Sequence, residues 1–448
     1  RLQGNVKVIC RLRPPSVDAE ARVALSVESD GVLVLRGGIA GEVAPHVWEF
    51  DQVFGGGASQ ACVFEQVRPM AAAVLDGVSA CIFAYGATGS GKTHTMMGPV
   101  NSRGCNYRLL TELMRLTAER SASHEHMVRV SLVEVYNDQL VDLLADETPK
   151  RRLTLPELAE EEREQERIGR ALAEAAEAAA AAEASGAEHE RQAAIAKATA
   201  AAAAAERTCH VPGSFTYPVR SVDDVIDVMT IGDCFRTFDS TSFNARSSRS
   251  HTVLSVSVAS TCRATGEVAI GRLHLVDLAG SEHALARQHD AREARPQMLR
   301  APSMAKAEAV AAANARELST RLQAPPGGRS SLSEETDYIH ASLAALAAVI
   351  SALRSASTEV RGDGDAMRAG RVASQTADAV PYGASTLTRL LRPALSLESR
   401  VAMFCCVDPS ESRVEEALSV LRFATEVKDV RTLGKTTRVG GTPIKAPP

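Results

Sequence analysis

The sequence Gly-Ala-Thr-Gly-Ser-Gly-Lys-Thr at residues 86–93 constrains the fold more than any other feature of this 448-residue chain. It matches the pattern G-x-x-x-x-G-K-[ST], a loop that cradles the phosphates of a nucleoside triphosphate. The apolar run Cys81-Ile82-Phe83-Ala84-Tyr85 comes directly before it and predicts a buried strand. A strand that turns through glycines into a helix directs several backbone N–H groups to one point, where an anion is favoured. The sequence therefore predicts a phosphate-binding loop, or P-loop.

The residue types in this loop have distinct chemical roles. Gly86, Gly89 and Gly91 let the backbone approach a phosphate without a clash from Cβ. Lys92 adds a positive charge for the β- and γ-phosphates, and Thr93 offers a hydroxyl to Mg²⁺. The alternative, a glycine-rich turn without a ligand, does not account for the lysine and the threonine that follow a strand. A triphosphate with Mg²⁺ is the predicted ligand.

Composition excludes several classes of partner. The net charge of −5 provides no basic field for a polyanion, so we expect no nucleic-acid partner. The apolar stretch Leu343–Leu353 is shorter than the roughly 20 residues that a membrane-spanning helix needs, which predicts no membrane insertion. The nine cysteines show no C-x-x-C or metal spacing, as is typical of reduced thiols in the cytoplasm. Because residue 1 is Arg rather than Met, we expect the chain to be part of a longer protein.

Three stretches differ in composition from the rest of the chain: 157–207, 284–331 and 355–379. The first is dominated by Ala, Glu and Arg, the second is rich in Ala and Arg, and the third is polar with several glycines. Because they lack stripes of bulky apolar side chains, all three are predicted to be low-complexity insertions, either solvated helix or disordered. The rest of 1–435 is predicted to be one domain, and 436–448 a disordered tail.

Strand and helix patterns alternate along this domain. Such alternation favours an α/β fold of the P-loop NTPase type, with three layers and a central, mostly parallel or mixed sheet that carries helices on both faces. The predicted strands are Val6–Cys10, Val128–Tyr136, Val253–Val258, Leu273–Asp277 and Val401–Val407. The predicted helices are Val63–Leu75, Val222–Ile231, Leu343–Leu353 and Glu415–Lys428.

The sequence Asp-Leu-Ala-Gly-Ser-Glu at residues 277–282 closes one of the predicted strands. An acidic residue at the end of a buried strand can hold Mg²⁺ directly or through water, as Asp277 would here. Gly280 can then turn its backbone N–H toward a γ-phosphate. This segment is predicted to be the acidic metal-binding element that accompanies a P-loop.

The sequence Asn-Ala-Arg-Ser-Ser-Arg-Ser-His at residues 244–251 lies just before another predicted strand. Its hydroxyl groups can coordinate Mg²⁺ and orient an attacking water molecule. Arg249 and Glu282 have opposite charges, so an ion pair between them would latch the two loops together when a γ-phosphate is present. Singly, each motif can also be an ordinary serine-rich loop or a capped turn.

The three motifs in this order make the chain resemble the kinesin motor domain. The family pattern N-x-x-S-S-R-S-H is intact at 244–251, and D-L-A-G-S-E is intact at 277–282. The family's R-x-R-P occurs at 11–14, its long block around the P-loop occurs at 50–98, and a further signature occurs at 133–144. The resemblance covers almost everything except the three insertions, and it excludes myosin.

The resemblance implies ATP and Mg²⁺ as cofactors and a role for each matching position. Metal ligation falls on Thr93, Ser248 and Asp277. The catalytic roles fall on Ser247 near the lytic water, Gly280 as the γ-phosphate sensor, and Arg249 with Glu282 as the latch and proton-relay pair. Ala87 replaces a glutamine of the family, which removes at most one side-chain contact. The implied nucleotide-binding residues are Arg11, Arg13, Pro14, Gly86, Ala87, Thr88, Gly89, Ser90, Gly91, Lys92, Thr93 and His94.

The dipeptide Gly4-Asn5 just ahead of the first predicted strand resembles the C-terminal-motor, minus-end-directed kinesins. This resemblance implies a microtubule-stimulated ATPase and motor, located in the cytoplasm on the microtubule cytoskeleton. It also implies a homodimer formed through a coiled coil outside this chain.

Departures from the family pattern lie on the side that would face the microtubule. The family's I-N-K-S-L reads Ile-His-Ala-Ser-Leu at 339–343, and its P-Y-R-N-S-K-L-T reads Pro-Tyr-Gly-Ala-Ser-Thr-Leu-Thr at 381–388. Three basic side chains are lost, and each would contribute roughly 0.5–1 kcal/mol against the acidic tubulin surface. The alternative function is therefore a nucleotide-binding microtubule attachment or scaffold protein with weak or no motility.

Overall fold

The strands and helices below come from a computed structural model, which describes residues 4–15, 23–35, 46–145, 152–153, 174, 189, 214–239, 248–264, 267–282, 332–359, 380–432 and 438–439. The predicted insertions 157–207 and 284–331 lie outside the described residues, apart from 174 and 189. The strands are β1 Gly4–Asn5, β2 Lys7–Leu12, β3 Leu25–Ser29, β4 Val32–Leu35, β5 His46–Glu49, β6 Gln52–Phe54, β7 Ser79–Tyr85, β8 His124–Tyr136, β9 Gln139–Asp142, β10 Arg152–Leu153, β11 Tyr217–Val219, β12 His251–Cys262, β13 Val268–Asp277, β14 Arg400–Val407, β15 Arg431–Thr432 and β16 Arg438–Val439. The α-helices are α1 Gln60–Glu65, α2 Pro69–Leu75, α3 Lys92–Met96, α4 Cys105–Glu119, α5 Val222–Asp239, α6 Leu332–Glu359, α7 Thr386–Leu391 and α8 Val414–Lys428.

A central sheet of 11 strands organises the domain, in the order β10-β9-β8-β12-β13-β7-β14-β2-β6, with β11 on β8 and β16 on β13. The pairs β13-β7, β7-β14, β14-β2 and β2-β6 are parallel. The pairs from β10 to β13 are antiparallel. The sheet is therefore mixed, and the predicted α/β fold is confirmed.

Helices cover both faces of this sheet. The helices α6, α7 and α8 pack on one face through Ile339, Leu387, Leu421 and their neighbours. The helices α1, α2, α4 and α5 pack on the opposite face. Because the central strands β7 and β14 are covered on both sides, they are apolar runs rather than alternating patterns.

The prediction of a single helix over Val63–Leu75 is wrong. The structure has two helices, α1 ending at Glu65 and α2 beginning at Pro69. Proline lacks the N–H that a helix interior needs, and it is tolerated at the first helical position. Pro69 therefore begins a second helix instead of continuing the first.

The apolar stretch Leu343–Leu353 is only the middle of α6, which has 28 residues. By length and composition alone, Glu334–Ser357 would suffice to cross a membrane, but half of that window is buried inside the protein. Leu343, Leu346 and Leu353 pack in the core against the sheet. The prediction that this apolar segment is too short to span a membrane was therefore wrong, while the absence of membrane insertion stays a prediction.

Parts of the predicted third insertion and of the predicted tail belong to a helix and a strand. The helix α6 runs to Glu359, and Ala356 within the stretch 355–379 is buried. Arg438 and Val439, within the predicted disordered tail, pair with Ala269 and Val268 as strand β16. Core packing and sheet pairing thus place these residues in a helix and a strand that their local composition does not predict.

Candidate functional site

Four parallel strands end at the same edge of the sheet and create the candidate site. The P-loop follows β7, Asp277 ends β13, Arg13 follows β2, and Asp408 follows β14. The carboxyl ends of parallel strands are where open α/β sheets bind ligands. The site therefore combines residues that are hundreds of positions apart in sequence.

The P-loop has the backbone conformation that its glycines predict. Gly89 and Gly91 have φ values of 80° and 102°, in the left-handed region that glycine tolerates best. Helix α3 then begins at Lys92 and has only five residues. Because so short a helix has a weak dipole, anion binding here depends on the loop N–H groups and on the lysine.

Lys92 is a buried positive charge within the P-loop. It is only 7% exposed, and its Nζ donates to the carbonyl oxygens of Gly86 and Ala87 at 2.8 and 2.9 Å. Burial lowers the pKa of the Lys92 ammonium, and the carboxylates of Asp277 and Glu282 oppose that shift. A buried ammonium without a bound counter-ion is costly, so this position favours an anionic ligand.

Thr93 and Asp277, two of the predicted metal ligands, lie side by side. The Thr93 hydroxyl donates to Oδ2 of Asp277 at 2.6 Å. Hydroxyl and carboxylate oxygens are the hard ligands that Mg²⁺ prefers, and Mg²⁺ usually keeps several waters when it binds with phosphates. This donor pair therefore fits the predicted metal.

The segment 280–282 packs directly on the P-loop. One carboxylate oxygen of Glu282 accepts from the N–H of Thr88 at 2.8 Å, and the other accepts from the Thr88 hydroxyl. The N–H of Ser281 donates to Gly86 at 3.0 Å. The N–H of Gly280 donates to the carbonyl of Ser248 at 3.0 Å, so it would have to leave that carbonyl to reach a phosphate.

Arg249 makes a different ion pair from the predicted one. Its Nη1 lies 3.1 Å from Oε2 of Glu335 in the first turn of α6. The pair of Arg249 with Glu282, which would form when a γ-phosphate is present, stays a prediction, and the Glu282 carboxylate contacts the P-loop instead. Ser247, predicted near the lytic water, lies outside the described residues. Ser248 is described and touches the segment 280–282 through its backbone.

The implied nucleotide-binding residues outside the P-loop divide into two kinds. Arg13 Nη1 donates to the carbonyl of Gly89 at 2.8 Å, and exposed Pro14 and His94 lie at the surface around the loop. Arg11 is only 8% exposed, and its Nη1 donates to Gln60 and Thr95 at 2.9 and 3.0 Å. Arg11 therefore ties β2 to α1 and α3, a structural role that its motif did not indicate.

His251, which sequence reasoning left without a role, connects the site to α6. Its Nδ1 accepts from the N–H of Ala279 at 3.1 Å, and its Nε2 lies 2.7 Å from Oγ of Ser342. The Ser342 hydroxyl in turn donates to Ile339 at 2.9 Å. Both residues stand in segments that match the family pattern, since His251 ends the motif at 244–251 and Ser342 lies in the altered I-N-K-S-L segment. The sequence therefore marks each of them but not their contact. Only the fold brings them together.

The pH dependence of stability follows from two buried imidazoles. Burial, assisted by the charge of Lys92, lowers the pKa of His251 from 6.5 to about 3. Burial, assisted by Arg272, lowers the pKa of His274 to about 3 as well. The unfolded chain therefore binds more protons than the folded one between about pH 3 and 6.5, so stability from these groups is complete above that range and lost as pH falls.

We expect each of these histidines to reduce the free energy of unfolding by about 1.4 kcal/mol per pH unit below about pH 6. Urea unfolding curves collected between about pH 7.5 and 5 measure this slope. The variant His274→Gln should have a shallower slope than the wild type in that range. Parallel slopes for the two proteins would contradict a buried, neutral His274.

Comparison with known proteins decides the family. A family model described as "Kinesin motor domain" matches residues 39–298 and 319–430. The chain belongs to the kinesin motor-domain family. The gap between the two matched ranges, residues 299–318, lies within the predicted insertion 284–331.

Curated relatives support the predicted resemblance to C-terminal-motor kinesins. The chain is 32% identical over 447 residues to "Kinesin-like protein KIN-14P" of Arabidopsis thaliana, covering 98% of this chain and 34% of that protein. It is 30% identical over 435 residues to "Kinesin-like protein KIN-14C" of Oryza sativa subsp. japonica, covering 96% and 34%. The chain thus spans about a third of the length of these kinesin relatives.

Solved structures of kinesins share the fold. A structure of a fast kinesin superposes with a TM-score of 0.61 at 23% identity, covering 99% of this chain and 95% of that one. The motor domain of the Kar3-like kinesin from Ashbya gossypii gives a TM-score of 0.56 at 23% identity, covering 95% and 99%. At this identity the likeness concerns the kinesin fold alone.

Proposed function

We propose that this chain is an ATP-dependent microtubule motor, in which ATP hydrolysis at the P-loop is coupled through two switch loops to microtubule binding and movement. The observation that carries the proposal is the contact of three motifs at one sheet edge. Thr93 of the P-loop bonds Asp277, and Thr88 of the P-loop bonds Glu282. A ligand at the P-loop must therefore disturb residues 277–282 and, through Gly280, the loop at Ser248.

ATP and Mg²⁺ are the proposed cofactors. Thr93, Asp277 and Ser248 would hold the metal, which neutralises phosphate charge when it is bound. Lys92 and the N–H groups of the P-loop would bind the phosphates. Ser247 would lie near the lytic water, Gly280 would sense the γ-phosphate, and Arg249 with Glu282 would close the site and relay a proton.

Coupling to the microtubule would run through α6. The site reaches this helix at two points, from Ala279 through His251 to Ser342, and from Arg249 to Glu335. Removal of the γ-phosphate would release the switch loops, and these contacts would change the position of α6. We further propose a homodimer formed outside this chain and a cytoplasmic location on microtubules.

A scaffold or attachment protein with weak motility is the second candidate. It is favoured by the segments that lack the family's basic residues. Gly383 is exposed, Ala384 is buried, and Thr386 is turned to Asp138, which accepts its N–H at 2.8 Å. Thr386 therefore holds the hairpin between β8 and β9 at the start of α7 and provides no cation for tubulin.

Steady-state ATPase with and without microtubules separates the two candidates. For the motor we expect stimulation of at least about tenfold, in the range of ordinary allosteric coupling. Cosedimentation in ATP, in ADP and without nucleotide should give different affinities. Stimulation below about twofold, with tight binding that ignores the nucleotide, would contradict the motor and support the scaffold.

A further inference from the structure

The carboxylate of Glu335 joins three parts of the molecule. Its Oε2 accepts from Arg249 of the switch loop at 3.1 Å. Its Oε1 accepts from the Tyr136 hydroxyl, at the end of β8, at 2.5 Å. The Glu335 side chain is 14% exposed and that of Arg249 is 21% exposed, so this ion pair is largely shielded from solvent.

Arg249 is close to a second carboxylate through the backbone. The carbonyl of Ser248, its neighbour, accepts from Gly280 at 3.0 Å, and Glu282 is two residues beyond Gly280. The two loops are thus already in contact through the backbone, one residue from Arg249 and two residues from Glu282. Glu282 meanwhile occupies the N–H of Thr88 on the P-loop.

We infer that Glu335 is a positioning residue for hydrolysis, which holds Arg249 away from Glu282 until α6 moves. The inference rests on the proposed function. A single guanidinium that can pair with either of two carboxylates makes a two-state switch, and the populations follow the relative strength of the two pairs. Tyr136 strengthens the pair of Glu335 with Arg249, because it holds the carboxylate by its other oxygen, Oε1.

Through Glu335, the position of α6 controls the rate of hydrolysis. When a microtubule displaces the first turn of α6, Glu335 leaves Arg249, which is then free to pair with Glu282 beside the P-loop. The hydrolysis step is therefore slow while Glu335 and Arg249 are paired, and α6 controls that pairing. ATP affinity depends little on it, since neither Glu335 nor Arg249 bonds Lys92 or the N–H of Thr88.

The test is Glu335→Gln in the whole chain, which keeps the size of the side chain and an acceptor for Tyr136 but removes the charge. The matched control is Glu334→Gln, a change of the adjacent, exposed acid in the same turn of α6. Single-turnover hydrolysis without microtubules should be about five- to tenfold faster than in the wild type, because a shielded ion pair no longer holds Arg249. The Kd for ATP should stay within about twofold, and Glu334→Gln should match the wild type.

Two further variants distinguish positioning from a general structural effect. The double variant Glu335→Gln/Glu282→Gln should hydrolyse as slowly as Glu282→Gln alone, because Arg249 then lacks the partner it was released to meet. Tyr136→Phe should accelerate hydrolysis by about two- to threefold, since it only loosens Glu335. Tyr136→Phe carries the test if Glu335→Gln fails to fold.

An unchanged or slower rate in Glu335→Gln, with the wild type active, would overturn this inference and leave the proposed function standing. Acceleration that persists in the double variant would also overturn it. A wild type that binds ATP but never hydrolyses it, even with microtubules, would overturn the proposed function and this inference together.

Discussion

Replacing Lys92 with alanine is expected to weaken ATP binding at least about a hundredfold, which corresponds to about 2.7 kcal/mol. The Lys92 ammonium is buried, and it is held in the loop by the carbonyls of Gly86 and Ala87. In so dry a position its attraction for a phosphate is much stronger than it would be in water. Titration with a fluorescent ATP analogue measures the loss.

Lys428→Ala is the control for this experiment. Lys428 donates to the carbonyl of Glu49 at an exposed position, so its removal changes the same net charge without touching the site. That variant should bind ATP like the wild type, and circular dichroism should show both variants folded. Retained ATP binding in Lys92→Ala would overturn the assignment of the P-loop as the nucleotide site.

Replacing Glu282 with glutamine is expected to slow hydrolysis by about a hundredfold or more while ATP binding persists. Glu282 lies on the P-loop at Thr88, beside the predicted position of the γ-phosphate, and glutamine cannot take up a proton. Its shape and its acceptor for the Thr88 N–H are kept. Single-turnover hydrolysis and ATP titration measure the two steps separately.

Thr88→Val separates the charge of Glu282 from its anchoring. This change removes the hydroxyl that bonds Glu282 but leaves the N–H of residue 88 in place. We expect a loss in hydrolysis of only a few-fold, since one of the two hydrogen bonds remains. Near-normal hydrolysis in Glu282→Gln would rule out the proposed role of Glu282.

The contacts among the motifs show what sequence reasoning reaches and where it stops. The neighbouring positions of Thr93 and Asp277 could be expected, since Asp277 ends β13 and Thr93 follows β7, the strand that pairs with β13 in parallel. The pairing of Arg249 could not, because Glu282 and Glu335 are both candidate partners and local sequence does not rank them. The burial of Arg11 was hidden for a similar reason, since nothing in the family block at 50–98 indicates that Gln60 is its partner.

Local patterns determined the strand before the P-loop, the glycine conformations within it, the α/β class and the family to which the chain belongs. These features depend on residues that are close in sequence or on strings that few other chains contain. Tertiary structure alone decided the order of the strands in the sheet, the 28-residue extent of α6, and the link from Ala279 through His251 to Ser342. The physical reason is that a side chain's partner depends on which strands and helices pack together, and residues such as Arg249 and Glu335 become neighbours only when the whole sheet and its helices have formed.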